Sequence, residues 1–264
     1  MRSAGFRVSE AGMPGLAGDA WRVHARATSS PAGIRVTRPS APILYFGDLE
    51  AYRASPRRIV TVGVNPSGEE FPAGSPWSRF DCAEIAASET LDADAIDRYL
   101  GVLNAYFGRD PYNRWFERSY EHVLRGLSAS YYGGGLNTAL HTDVCSPLAT
   151  TPTWRFLKKA EQGVLATDGV PLWHRLVAEL EPHMILASVS APHFSRINLE
   201  QLSPPEVIYS VAQKRNYDVT VRRVRCGNGE SRLVWAGAST TPFQPITDSH
   251  KRAVGAALAS VLDQ

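Results

Sequence analysis

The stretch that decides the fold is Arg58-Ile59-Val60-Thr61-Val62-Gly63, followed by the turn Val64-Asn65-Pro66-Ser67-Gly68. The first part is a compact, β-branched run of strand length, and the Gly, Asn and Pro residues behind it are types that end a strand. Three more segments share this character, at residues 139–145, 183–189 and 232–236. The sequence therefore predicts four strands, each followed by a turn or loop.

Helical patterns separate these strands. Apolar residues recur at helical spacing over 95–107, 115–127, 172–180 and 250–262, the last one after the N-cap residue types Thr247-Asp248-Ser249. Strands that alternate with helices predict an α/β fold, and we expect a three-layer α/β/α sandwich with a central, mostly parallel, four-stranded sheet. In such sheets, ligands bind at the loops beyond the carboxyl ends of the strands.

Composition excludes several classes of protein. The chain has 264 residues, a formal net charge of +2, 44% hydrophobic residues and 3 cysteines. These values are typical of a folded globular protein, and three thiols cannot form a disulfide framework, an iron–sulfur cluster or an all-thiolate zinc site. The sequence shows no signal peptide and no apolar stretch of roughly 18 residues. We therefore expect a cytoplasmic protein with no membrane partner.

Charge and composition divide the chain into parts. Residues 1–40 are rich in Ala, Gly, Ser and Arg, and we expect a flexible or loosely docked extension there, before a single domain at 41–264. Residues 48–97 carry 10 acidic and 4 basic side chains, whereas residues 196–252 carry 9 basic and 5 acidic ones. Because local patches set the field that attracts phosphates, the near-neutral total does not exclude a nucleic-acid partner.

The loops behind the four strands carry an ordered set of motifs. Gly63-Val64-Asn65-Pro66-Ser67 follows the first strand, Asp143 lies near the end of the second, Ser190-Ala191-Pro192-His193 follows the third, and 239–245 follows the fourth. In this order they resemble the uracil-DNA glycosylase superfamily, whose first motif is Gly-x-(Asp/Asn/Glu)-Pro and whose last strand precedes a Pro/Ser-rich loop and a final helix. The resemblance covers about residues 55–262 and implies the superfamily's fold, with extra helices inserted between the first two motifs.

The resemblance implies catalytic roles for Asn65 and Asp143. The side-chain carbonyl of Asn65, with a nearby backbone carbonyl, would hold the water that attacks the sugar; the alternative is a turn asparagine bonded to its own backbone. Asp143 stands where the superfamily has an Asn that reads uracil. A carboxylate only accepts hydrogen bonds, so Asp143 favours the N4 amino group of cytosine over O4 of uracil. Its alternative role is to cap a turn at the end of a strand.

Four more residues are expected around the base. Pro66 and Ser67 lie where the uracil-restricted branch carries a bulky Tyr after the Pro, and the small Ser67 leaves room at position 5 of the base, although turn chemistry explains it equally well. Trp77 is similar to the aromatic residue that stacks on the flipped base, and Phe80 is the second candidate; a core aromatic is the alternative for Trp77. Stacking is worth about 1–3 kcal/mol per base.

The last loop departs from the superfamily's pattern. Where the family has a His before Pro-Ser, this chain has Thr240 or Thr241 and then Pro242. Phe243 or Gln244 is expected to fill the gap that a flipped base leaves in the duplex. We expect all five residues to contact DNA.

Behind the third strand, Ser190 and His193 are also expected to contact DNA. His193 is a candidate replacement for the missing motif His, with an exposed loop histidine as the alternative. No Lys lies in the four motif loops, so a Schiff-base lyase is not indicated. The histidines lack the HxE…CxxC spacing of zinc deaminases, and we expect neither a metal nor another cofactor.

These features lead to one hypothesis and two alternatives. The hypothesis is a monomeric, monofunctional DNA glycosylase that flips a 5-substituted cytosine out of DNA and hydrolyses its N-glycosidic bond, leaving an abasic site. This is similar to a bacterial phage-defence type of glycosylase that excises glucosylated hydroxymethylcytosine. The first alternative is a uracil or mismatch repair glycosylase in which Asp143 is structural. The second is a catalytically inactive nucleic-acid-binding module, which the missing motif His favours.

Overall fold

A single mixed sheet of seven strands forms the centre of this α/β protein. The computed structural model describes residues 12–30, 33–88, 91–212, 216–238 and 241–263. The strands are β1 (Ile59–Gly63), β2 (Ala129–Ser130), β3 (Asn137–Asp143), β4 (Met184–Ala187), β5 (Glu206–Val211), β6 (Tyr217–Cys226) and β7 (Gly229–Ala236). Their order across the sheet is β2-β3-β1-β4-β7-β6-β5.

All four predicted strands lie in the parallel half of the sheet. They correspond to β3, β1, β4 and β7, which are parallel neighbours, and the short β2 extends this half at one edge. The prediction of four strands was wrong in number, because β5 and β6 add an antiparallel half beyond β7. β6 buries Val219, Val221 and Val224 between exposed or half-buried Asp and Arg residues, so it lacks a continuous apolar run like that of β1.

Nine α-helices of the described residues accompany the sheet, together with short 3₁₀ and π-helical turns. They are α1 (Gly12–Ser29), α2 (Leu49–Ala54), α3 (Ala83–Ala87), α4 (Ala93–Asn104), α5 (Asn113–Phe116), α6 (His122–Gly126), α7 (Lys159–Leu180), α8 (Ala191–Phe194) and α9 (Asp248–Leu262). The helix that the sequence predicted after Pro171 is the second half of α7. Pro171 has no backbone N–H to donate within the helix, but buried Leu165, Leu172 and Trp173 hold both halves in one helix. No helix in the described ranges is long and apolar enough to cross a bilayer.

Helices cover both faces of the sheet at β3. His141 and Thr142 are successive residues of this strand, so their side chains point to opposite faces. On one face, Trp173 of α7 donates from Nε1 to Thr142 Oγ1 at 3.0 Å. On the other, the His141 ring lies 5.3 Å from the ring of Phe116 and 5.9 Å from that of Tyr120, in α5 and the π-helical turn after it. The carboxyl end of β3 is therefore held from both sides.

The N-terminal part of the chain belongs to the core. We expected a flexible or loosely docked extension over residues 1–40, whereas over residues 12–29 α1 packs against α4 and α7. The ring of Trp21 meets that of Tyr99 edge-on at 5.6 Å, and Arg175 Nη1 donates to Asp19 Oδ2 at 2.6 Å. The Gly and Ala residues that resemble a linker are small, and in α1 they allow close helix packing. Residues 1–11 lie outside the described ranges.

Substitution of Leu16 by Ala tests this docking. Leu16 is 3% exposed, and removing its side chain leaves a cavity that typically costs about 2–5 kcal/mol. Arg26→Ala on the same helix removes a largely exposed ion pair with Asp168, which is worth about 1 kcal/mol or less. Urea unfolding of both variants measures the difference. Equal free energies of unfolding for the two variants would contradict the packing of α1.

Candidate active site

A cavity opens at the carboxyl ends of β1 and β3, where ligands bind in sheets of this kind. Its volume is about 360 Å³, and ligand pockets typically measure roughly 300–1,000 Å³. The polar residues that line it are Asn65, Ser67, Glu70, His141, Asp143, Thr153, Arg155 and His193. The structure thus brings together Asn65, Pro66, Ser67, Asp143 and His193 of the predicted set and adds residues that the sequence did not indicate.

Asn65 is held by its amide nitrogen. Nδ2 donates to the carbonyl oxygens of Pro66 and Leu148, at 2.9 and 3.2 Å, and to Thr150 Oγ1 at 3.0 Å. Because backbone carbonyls only accept, these partners fix which way the amide points. No described residue donates to Oδ1. Asn65 therefore anchors its turn, as the alternative role requires, and still presents a free carbonyl oxygen at the cavity.

Asp143 is a buried carboxylate that lacks a hydrogen-bond donor. It ends β3 in register with Gly63 and is 7% exposed. A Cβ on Gly63 would lie 2.3 Å from Asp143 Oδ1 and 2.8 Å from His141 Nε2, so the strand needs glycine there. His141 Nε2 lies 3.8 Å from Oδ1, beyond hydrogen-bond distance. Within the described ranges no group donates to this carboxylate and no turn is capped by it, and Asp143 lines the cavity, where a ligand can donate to it.

His141 is fixed beside Asp143. Its Nδ1 lies 2.8 Å from the Oγ1 of Thr61, its register partner on β1. Aromatic rings pack around the imidazole, with Trp115 at 4.9 Å and Phe116 at 5.3 Å. These contacts direct Nε2 toward Asp143. The sequence did not indicate a role for His141, and the alternation of side chains along β3 places it on the same face as Asp143.

Glu70 is a second buried carboxyl group in the cavity. Ser67 Oγ accepts from Glu69 N at 3.2 Å and caps a short 3₁₀ turn over Gly68–Glu70. This turn leaves Glu69 exposed and buries Glu70, which is 3% exposed. The Tyr106 hydroxyl donates to Glu70 Oε2 at 2.8 Å. The sequence offered one signal, a Glu pair directly behind the first motif, but local patterns do not show which Glu is buried.

The surroundings of Glu70 favour its neutral form. Burial raises the pKa of Glu70 to about 8, and the negative charges of Asp143 and Glu69 act in the same direction. The hydrogen bond from Tyr106 and the charge of Arg79 oppose this increase in pKa. At neutral pH, Glu70 is therefore mostly a carboxylic acid, which can donate a hydrogen bond where a carboxylate cannot.

The aromatic lining differs from the predicted one. Phe80 is fully buried and stacks between the rings of Phe71 at 5.5 Å and Tyr106 at 5.0 Å, while Trp77 packs edge-on against Phe71 at 5.9 Å. Neither Trp77 nor Phe80 lines the cavity, because the chain after Glu70 folds its aromatic residues into the core instead. The rings that line the cavity belong to Phe46, Tyr112, Trp115, Phe116 and Trp154.

His193 lines the cavity next to several cations. Its Nδ1 lies 3.0 Å from Ser190 Oγ, and the side chain is half-buried rather than freely exposed. Burial lowers the pKa of His193, and the positive charges of Arg196 and Lys159 lower it further. Since the ordinary pKa of His already lies below 7, this imidazole is neutral at physiological pH. Ser190 holds the ring and does not itself line the cavity.

The loop before α9 departs from the prediction. Thr240 lies outside the described residues. Phe243 is fully buried, so its predicted role as a wedge in DNA was wrong, and its apolar ring fills the core. Pro242 is also buried, and Thr241 is half-buried. Gln244 is exposed and is left as the candidate that can reach a partner.

The described part of the chain contains no group of three His, Cys, Asp or Glu residues that could hold a metal ion. In comparisons with known proteins, no protein-family model matches the chain, and no curated protein matches it. The geometry of the cavity therefore carries the functional argument.

Substitution of Glu70 by Gln tests the protonation of the cavity through stability. The folded state keeps a proton up to about pH 8 that the unfolded chain releases near pH 4.5. The stabilisation is therefore full below pH 4.5 and is lost as the pH rises to 8, by a few kcal/mol at about 1.4 kcal/mol per pKa unit. Glu70→Gln should lack this loss. Urea unfolding of both proteins from pH 5 to 8.5 measures it, and parallel curves would disprove the buried acid.

Proposed function

We propose that this protein is a DNA N-glycosylase that flips a 5-substituted cytosine out of DNA and hydrolyses its N-glycosidic bond. The observation that carries the proposal is the buried Asp143 carboxylate, which lines the cavity and receives no hydrogen bond from the described residues. Because Asp143 lines the cavity, its carboxylate can accept hydrogen bonds from a ligand bound there, and hydrogen bonds to charged groups are among the stronger ones.

The base that Asp143 fits best is cytosine. The exocyclic N4 amino group of cytosine donates hydrogen bonds, whereas O4 of uracil accepts them and would face a carboxylate without a shared hydrogen. Ser67 is small and lines the same cavity, which supports room for a substituent at position 5. Trp115, Tyr112 and Trp154 provide rings on which a flipped base can stack.

Asn65 supports a hydrolytic step. Its Oδ1 has no donor among the described residues, so it can accept a hydrogen from a water and orient the water's oxygen toward C1′ of the sugar. The water forms the new bond to C1′ as the bond to N1 of the base breaks, through an oxocarbenium-like state. The products are an abasic sugar and the free base, and the reaction takes one water molecule.

Positive side chains near the cavity support a DNA partner. Arg155 lines the cavity, and Lys159 and Arg196 are close enough to His193 to lower its pKa. Such cations bind phosphates, and their contribution to affinity falls as salt rises. His193 and Ser190 would contact the strand beside the flipped nucleotide, and the exposed Gln244 would fill the gap in the duplex.

We also propose that the chain belongs to the uracil-DNA glycosylase superfamily. The superfamily's four-stranded parallel sheet between helical layers would then correspond to β3, β1, β4 and β7. The additions to it would be β5, β6 and the helices between β1 and β3. The protein would act as a cytoplasmic monomer without a cofactor, and its substrates suggest a role in defence against phages that modify their cytosines.

A glycosylase assay with four bases tests the proposal. The protein is incubated with duplexes that each contain one uracil, cytosine, 5-hydroxymethylcytosine or glucosylated hydroxymethylcytosine, and alkali-labile abasic sites are measured. We expect cleavage at a 5-substituted cytosine. Product from uracil alone would indicate a repair enzyme, and no product from any duplex would indicate a binding module.

Asn65→Ala should fold and lose excision. The variant removes the oxygen that orients the water, and misplacement of a reacting group by 1 Å can cost about 100-fold in rate. Single-turnover rates measure the loss, and thermal unfolding shows whether the turn survives without the three Nδ2 bonds. Asn228→Ala, the same change at an exposed turn, is the control. A folded Asn65→Ala variant with the wild-type rate would disprove the water-positioning role of Asn65.

Asp143→Asn should move the preference of the enzyme toward uracil. The amide can donate to O4, and a base-edge contact discriminates by about 1–3 kcal/mol, so the ratio of the two rates should change by about 10-fold or more. Asp97→Asn on the exposed side of α4 is the matched control. A wild-type protein that already prefers uracil would contradict the role of Asp143.

A further inference from the structure

Glu70 is a buried carboxyl group that has no part in the roles proposed for Asn65, which positions water, and Asp143, which binds the N4 amino group. It is 3% exposed, it lines the same cavity as Asp143, and the Tyr106 hydroxyl donates to its Oε2 at 2.8 Å. Tyr106 Oη in turn accepts from the backbone N–H of Tyr112 at 3.0 Å, and Tyr112 also lines the cavity.

These bonds show which oxygen of Glu70 can carry a proton. The N–H of Tyr112 can only donate, so Tyr106 receives one hydrogen and directs its own hydrogen at Glu70 Oε2. A proton on the carboxyl group is therefore placed on Oε1. No described residue bonds to Oε1, so this hydroxyl is available to a ligand in the cavity.

The charges around Glu70 hold the proton there. Burial raises its pKa to about 8, Asp143 and Glu69 raise it as like charges, and Tyr106 and Arg79 lower it. Two carboxyl groups in one buried cavity do not readily ionise together. At neutral pH the cavity thus holds one carboxylic acid, Glu70, near one hydrogen-bond acceptor, Asp143.

We propose that Glu70 is the general acid of this site and donates the proton on Oε1 to ring nitrogen N3 of a cytosine whose N4 amino group is bound by Asp143. This inference rests on the proposed function. A cytosine presents N3 as an acceptor beside N4 as a donor, so a cavity lined by an acid and by a carboxylate is complementary to it. Uracil presents the reverse, with N3–H as a donor and O4 as an acceptor, and the pair rejects it.

The proton transfer makes the base a better leaving group. As the bond between N1 and C1′ breaks, its electron pair moves into the ring, and N3 takes the proton of Glu70, so the base leaves neutral rather than as an anion. The attacking water adds to C1′ and loses a proton to solvent, and Glu70 regains a proton from solvent. General acid catalysis of this kind contributes about 10²–10⁴-fold in rate.

Glu70→Gln tests the inference, because glutamine keeps a hydrogen-bond donor and loses the transferable proton. The probe is the duplex with the 5-substituted cytosine that the wild type cleaves fastest. We expect the single-turnover rate to fall by about 100-fold or more, while affinity for the same duplex carrying a 2′-fluoro nucleotide, which resists cleavage, changes by less than about 3-fold. Glu84→Gln, the same change at an exposed residue, should cleave like the wild type.

The pH profile separates an acid from a merely structural glutamate. The wild-type rate should fall above about pH 8 as Glu70 loses its proton. This fall should be absent from Glu70→Gln, and in Tyr106→Phe it should shift to higher pH, because that variant loses a hydrogen bond that lowers the pKa of Glu70. Thermal unfolding of each variant confirms that it is folded.

The outcomes distinguish the inference from the proposed function. An active wild type together with a folded Glu70→Gln variant of equal rate and equal pH profile overturns the role of Glu70 and leaves the glycosylase standing. A wild type that cleaves uracil in preference to every cytosine derivative also overturns it. A wild type that cleaves none of the four duplexes overturns the proposed function and this inference with it.

Discussion

The close approach of β1 and β3 at Gly63 is the constraint on which the site depends. Asp143 Oδ1 and His141 Nε2 occupy the space that a Cβ at position 63 would need, at 2.3 and 2.8 Å. The parallel register that pairs Gly63 with Asp143 places the carboxylate at the sheet's carboxyl edge. The chain that leaves Gly63 then becomes the turn that carries Asn65. One missing side chain therefore lets two strands bring Asp143, the proposed base-reading group, and Asn65, the proposed water-positioning group, into the same cavity.

The same cavity holds polar groups that are costly to bury. Glu70, His141 and Asp143 are each 7% exposed or less, and aromatic rings line the cavity that they share. Such surroundings have a low dielectric, which strengthens both hydrogen bonds and charge interactions with a ligand. Asp143 receives no hydrogen bond from the described residues and lines this cavity, so its carboxylate is placed to accept from a ligand there.

Short sequence patterns were enough to predict the parallel strands and to place Asn65 and Asp143 at their carboxyl ends. A β-branched run that ends in Gly, Asn and Pro indicates a strand and its loop, and parallel neighbours bring Asn65 and Asp143 to one edge. Glu70 could not be found in this way, because its burial depends on Tyr106, a residue 36 positions away. Trp77 was misassigned for a related reason, since its packing on Phe71 depends on the path of the whole loop. Small residues in the N-terminal part suggested a flexible or loosely docked extension, although small residues also permit the close helix packing seen in α1.

The most direct test of the proposed hydrolysis is to incubate the protein with DNA that contains a 5-substituted cytosine in ¹⁸O-labelled water. The measurement determines which product carries the oxygen of the water and whether the base is released. Mass spectrometry follows both products. Hydrolysis of the N-glycosidic bond predicts one ¹⁸O atom in the abasic sugar and release of the intact, unlabelled 5-substituted cytosine. A labelled uracil derivative that stays in the DNA would show deamination instead, and DNA that keeps every base unlabelled would show that the cavity does not perform this chemistry. Either of these results would contradict the account.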